Sequence, residues 1–122
     1  MKEVINEFIN RVREKDALQK LMMNRVLTVS FNNEQELCYL MVDNNLLKIV
    51  SGLDCDSHVI IEGSEDDLKE LLYGEDFLLS MKKREDLKVK GKLKDLLLIE
   101  SLFYLANTSD RKGRKHVDSK IG

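Results

Sequence analysis

The sequence predicts an α+β domain: an N-terminal helix, a four-strand meander, two helices, a fifth strand and a C-terminal helix. Three observations predict it. Apolar residues recur with a helical period before Arg25 and with a period of two after it. The runs that follow are separated by Asn- and Asp-rich turn signals. The helical period then returns at Ser64, behind a capping signal. With 122 residues the chain suits one domain with a substantial core, assigned to residues 1–106, followed by a basic, loosely ordered tail at 107–122.

The first helix follows from Val4, Ile5, Phe8, Ile9 and Val12, which share one stripe opposite Lys2, Glu3, Asn6, Glu7, Asn10 and Arg11. Its polar face mixes both charge signs, which argues against a membrane-surface helix. Asp16 is the expected N-cap of a second helical piece carrying Leu18, Leu21 and Met22. Leu27, Val29 and Phe31 then alternate with Thr28, Ser30 and Asn32, the pattern of a half-buried strand. Glu36 to Val42 is a near-continuous apolar run, read as a more buried strand. Asp43-Asn44-Asn45 supports a tight hairpin, because Asn and Asp tolerate positive φ. In the third strand, Leu46 to Ser51, a solvent-facing Lys48 turns Leu47 and Ile49 inward. The fourth, His58 to Gly63, turns Val59 and Ile61 the same way, and short turns suggest that all four run as an antiparallel meander.

Ser64 with Asp67 resembles a capping box, Leu68, Leu71 and Leu72 line the buried stripe, and Gly74 stands where a left-handed C-terminal residue belongs. Phe77, Leu78 and Met81 suggest a short helix, and Leu87 and Val89 a fifth strand between lysines. Gly91 turns the chain into a last helix, Lys92 to Ala106, that is apolar almost all round. A helix of that kind exposes more apolar surface than one core-facing stripe uses. More protein, a partner or a bound apolar molecule is expected on its other side.

Composition is that of an ordinary soluble protein, 43% hydrophobic and 34% charged, with a net charge of −2. The tail carries five basic and two acidic residues, a net +3. Without interleaved aromatics it offers no stacking platform, so no nucleic-acid partner is expected. Two cysteines make no disulfide framework, and the N-terminus has no signal-like apolar core. No segment approaches the roughly 20 apolar residues that a spanning helix needs. A cytoplasmic location is the expectation.

The stretches VIIEGSEDDLKELLYGE and LKVKGKLKDLLLIESLF resemble the lipid-binding domain family of sterol carrier protein type 2. In that pattern a β-branched strand leads into a Ser-Asp-capped helix with a Leu-Leu-x-Gly end. A Lys-hydrophobic-Lys strand, a glycine and an apolar helix follow. The matching parts are Val59 to Ile61, Ser64 to Gly74, Leu87 to Gly91 and Lys92 to Leu105, and similar order upstream extends the likeness over most of residues 4–106. The chain departs from the family in lacking a tryptophan in the second strand and a proline in the short helix, and in its charged run Lys82 to Asp86.

The resemblance implies a five-stranded, mostly antiparallel sheet packed against helices, with an apolar cavity between them that takes a fatty acid, acyl-CoA or other lipid. The residues it implies for that cavity are Phe31, Leu47, Ile49, Val59, Ile61, Leu72, Phe77, Met81, Val89, Leu93, Leu97, Phe103 and Tyr104. Such side chains are core residues whether or not a ligand reaches them. The alternative is a protein–protein interaction or dimerisation module, in which a second copy or another protein covers Leu96 to Ala106 and the cavity is closed.

No enzyme and no cofactor are expected. Neither histidine places a base beside a serine or cysteine, so no catalytic residue is assigned. Cys55-x-x-His58 lacks a second pair at zinc-like spacing, and no metal site is assigned. Gly91-Lys92 lacks the remaining residues of a phosphate loop. Glu65, Asp66 and Asp67 suit the first turn of a helix, where the dipole favours carboxylates.

Overall fold

A computed structural model describes residues 1–50 and 57–118, with side chains as far as Asn107. In chain order the elements are α1 (Lys2–Arg13), α2 (Asp16–Met22), β1 (Val26–Asn32), β2 (Leu37–Asp43), β3 (Leu46–Val50), β4 (Val59–Glu62), α3 (Glu65–Leu72), α4 (Leu78–Lys83), β5 (Lys88–Lys90) and α5 (Leu93–Asp118). The five strands form one sheet in the order β3-β2-β1-β4-β5.

The meander stops after three strands. β2 pairs antiparallel with β1 and β3, as expected, but β4 does not continue beyond β3. It pairs in parallel with the free edge of β1, and β5 then pairs antiparallel with β4. This crossing places Val59 beside Val29 and Ile61 beside Phe31. β1 is thereby paired on both edges, and it is buried from Leu27 to Phe31. A short-turn rule applied strand by strand cannot detect such a crossing, because the gain comes from completing a central strand.

Register puts one set of side chains on the helix-facing side. Across the strands the rows read Leu47–Val42–Leu27, Ile49–Leu40–Val29–Val59, and Cys38–Phe31–Ile61–Val89. The opposite face carries Lys48, Met41 and Thr28, then Tyr39 and Ser30. β2 is half-buried rather than buried throughout. Cys38, Leu40 and Val42 are inside, whereas Leu37 is exposed and Tyr39 and Met41 are intermediate. Its apolar run hides an ordinary alternation, since an aromatic or Met side chain also suits a partly covered face.

Helix ends follow local chemistry. Ser64 caps α3 by accepting the Asp67 N–H at 3.1 Å, and its hydroxyl donates to the Asp67 carboxylate at 3.0 Å. At the other end the N–H groups of Gly74 and Glu75 bond the carbonyls of Leu71 and Glu70, a Schellman arrangement with Gly74 at φ +74°. Asp16 is the first residue of α2 rather than its cap. Lys15 occupies the cap position, without a side-chain capping hydrogen bond.

α4 ends with the same Schellman pattern, Glu85 N–H to Lys82 and Asp86 N–H to Met81, but its left-handed residue is Glu85 at φ +67°. The left-handed region costs an L-residue roughly 1–2 kcal/mol that glycine does not lose, part of which glycine forfeits through its more flexible unfolded chain. Glu85→Gly is therefore expected to stabilise the domain by about 0.5–1 kcal/mol. A thermal melt with an unchanged or lowered midpoint would show that Glu85 is not strained there.

α5 does not end at Ala106. Its backbone continues to Asp118, so the tail begins as helix. Side chains beyond Asn107, and residues 51–56 with Cys55, lie outside the described residues. Among those described, no helix is long and apolar enough to cross a membrane.

Candidate ligand-binding site

The residues expected to line a cavity separate into two groups. Phe31, Leu47, Ile49, Val59, Ile61 and Val89 lie on the helix-facing side of the sheet, all buried except Ile49, which is half-buried. Leu72 in α3, Met81 in α4 and Phe103 in α5 are buried in the same core. Phe103 is central. Its ring centroid is 5.2 Å from that of Phe8 in α1 and 6.2 Å from that of Phe31 in β1. Together these side chains belong to the one hydrophobic core that the described residues form.

Phe77, Leu93, Leu97 and Tyr104 face outward, with 46%, 63%, 45% and 38% of their surface exposed. The reason lies in the register of α5. Leu96, Leu98, Ile99, Leu102, Phe103 and Ala106 point inward, which turns Leu93, Leu97 and Tyr104 to the other side. Phe77, just before α4, lies against Tyr104 with ring centroids 5.2 Å apart. An apolar helix is thus buried along one face while carrying a second apolar stripe on the other. Periodicity cannot say which of two apolar faces is the inner one.

Sequence reasoning missed several members of the interior: Phe8, Leu40, Leu78, Ile99, Leu102 and Asn107. Phe8 was readable as a stripe residue of α1 but not as a neighbour of Phe103. Asn107 had no signal at all, because it follows the last apolar residue of the helix. Its side-chain N–H₂ donates to the carbonyls of Phe103, at 2.8 Å, and Leu72, at 3.2 Å. Arg11 donates to the same Leu72 carbonyl at 3.2 Å and lies over the Tyr73 ring, whose hydroxyl bonds Glu7 at 3.2 Å. These contacts pin α1, α3 and α5 together at one end of the interior.

Polar features elsewhere have structural partners. Arg84 is held between Asp76 and Asp86. Its hydrogen bond to Asp76 keeps that carboxyl below the usual carboxylate range. Burial, reinforced by Glu36, pushes the Cys38 thiol up, which disfavours the reactive thiolate. The His58 ring accepts the backbone N–H of Thr28 through Nδ1 at 3.0 Å and so extends the β1–β4 junction. A polar cleft of about 530 Å³ lies where β1, β4 and the α4–β5 connection meet, lined by Asn32, Glu62, Ser64, Asp86 and Lys88 among others. Among the described residues no group of His, Cys, Asp and Glu side chains could hold a metal ion.

No protein-family model matches the sequence, and no curated protein matches it. Solved structures do match. A UbiJ-SCP2 ubiquinone synthesis protein superposes with a TM-score of 0.63 at 14% identity, over 87% of each chain. Sterol carrier protein domain 2 of Helicoverpa armigera gives 0.64 at 12% identity, over 88% of this chain and 87% of the other. The sec-alkylsulfatase Pisa1 from Pseudomonas sp. matches at 0.60 and 17% identity, over 69% of this chain; the chain spans only 14% of that much longer protein. TM-scores of 0.63 and 0.64 over 87% and 88% of this chain show that it has the fold of the sterol carrier protein 2 domains.

Proposed function

We propose that residues 1–106 bind and carry an apolar molecule (a fatty acid, acyl-CoA or other lipid) between the sheet and the helices, without catalysing a reaction. The observation that carries this reading is α5, apolar on both faces within a fold whose other bearers include named sterol carriers. In this account the ligand's tail replaces side-chain contacts around Phe31, Ile61, Leu72, Met81 and Phe103, while α4 and α5 move off the sheet. Met81 suits such repacking, because an unbranched thioether adapts to irregular space. Phe77, Leu93, Leu97 and Tyr104 then stand at the rim rather than in the interior. Beyond Asn107 the basic segment is an appendage to the carrier unit, which works in the cytoplasm and needs neither metal nor cofactor.

Native mass spectrometry of the gently purified protein, followed by solvent extraction, tests this. Bound species matching extracted lipids are expected, with displacement by added fatty acid. Protein that is ligand-free and also fails to bind fluorescent fatty acids under varied conditions would refute the proposal.

A further inference from the structure

We infer that His58 is an acid-sensitive joint between β1 and β4: proton uptake by its ring releases the Thr28 amide and loosens the start of β4. The His58 N–H donates to the Thr28 carbonyl at 2.9 Å, and the Thr28 N–H donates to His58 Nδ1 at 3.0 Å. The residue leading into β4 thus holds both backbone groups of Thr28, one of them through its side chain. Regular pairing of β1 with β4 begins only at Val29 and Val59, so this contact closes the junction at its open end. Thr28 is buried, whereas His58 is exposed, and its ring exchanges protons with solvent.

An imidazole accepts at Nδ1 only while that nitrogen carries no proton, and the doubly protonated ring accepts nothing. The Thr28 bond therefore selects the tautomer with its hydrogen on Nε2. Imidazoles in general change charge between about pH 5 and 8. In that range proton uptake competes with the Thr28 bond, and opening gains as the pH falls. Among the described residues the charged groups around the ring are Lys48 in the Thr28 row of the sheet, Lys90 and Lys92 on either side of Gly91, and Lys94 and Asp95 at the start of α5. Asp54 and Asp56, on the connection leading to His58, lie outside the described residues. Lysines and carboxylates in general keep their charge through this range, so within this set only the ring switches. The joint also reaches α5. A Cβ added at Gly91 would lie 2.9 Å from the His58 carbonyl and 3.2 Å from both Val59 and Leu96, so the first turn of α5 is seated on the same spot. The switch does not depend on what the interior holds.

Amide hydrogen exchange followed by NMR on the full chain, at about pH 7.5 and about pH 5.5 and corrected for intrinsic rates, tests the inference at a single bond. Thr28 protection is expected to fall about tenfold or more in acid, relative to amides of the β2–β3 hairpin. His58→Asn puts an acceptor oxygen where Nδ1 stands, and an amide oxygen accepts at either pH, so Thr28 should stay protected throughout. His58→Ala should leave Thr28 poorly protected at both. Ring nitrogen chemical shifts at neutral pH should show a bare Nδ1 and a hydrogen on Nε2. A ring protonated at Nδ1 in neutral solution, equal Thr28 protection at both pH values, or the same acid loss in His58→Asn would overturn the inference.

Discussion

Phe103→Ala is expected to cost about 3–5 kcal/mol of folding stability, the range for removing a large aromatic from a packed core. Phe103 is buried at 2% exposure and stands between Phe8 and Phe31, so it joins α5 to both α1 and the central strand. Removing the ring leaves three elements without a shared neighbour, and helices pinned at their ends collapse poorly onto the gap. For a chain of this size the midpoint should fall by roughly 10–20 °C. Phe103→Leu should cost much less, because most of the volume stays. A fall of only a few degrees for the alanine variant would mean that the interior repacks freely around α5.

Gly74→Ala should cost roughly 2–4 kcal/mol, a large effect for one methyl group. Two independent causes add. Gly74 has φ +74°, where a side chain is strained, and an added Cβ would lie 2.8 Å from the Asn107 amide. Pushing that amide away breaks its bonds to Phe103 and Leu72 and leaves the buried Asn107 N–H₂ without these partners, while the Leu72 carbonyl keeps Arg11. Asn107→Ala alone should cost about 1–2 kcal/mol. The double variant should then be less destabilised than the sum of the singles, because the steric conflict needs both partners. Strict additivity in denaturant melts would show that the two residues do not meet.

Local chemistry was the most legible part of the fold. The Ser64 cap, the Gly74 terminus, the two-residue turn at Asn44-Asn45 and the inward set on β1 and β3 each depend on a few neighbouring residues. The parallel placement of β4 was not legible, because it is settled by what completes β1 rather than by any turn. Glu85 was hidden for a different reason: a left-handed position occupied by glutamate leaves no glycine to mark it. Within the candidate site, the sheet residues were readable from alternation. Leu93, Leu97 and Tyr104 were placed inward because an all-apolar helix offers two equally greasy faces. Asn107 lay beyond pattern altogether, since its role comes from the Leu72 carbonyl 35 positions earlier in the chain.

Whether a ligand is held between the sheet and the helices is the central point. Methyl-labelled protein titrated with a long-chain fatty acid, followed by NMR, addresses it residue by residue. The account predicts saturable shifts at Val59, Ile61, Leu72 and Met81, the methyl groups between sheet and helices, with smaller changes at Leu93 and Leu97. Shifts confined to Leu93 and Leu97, with the interior methyls unmoved at saturation, would contradict it.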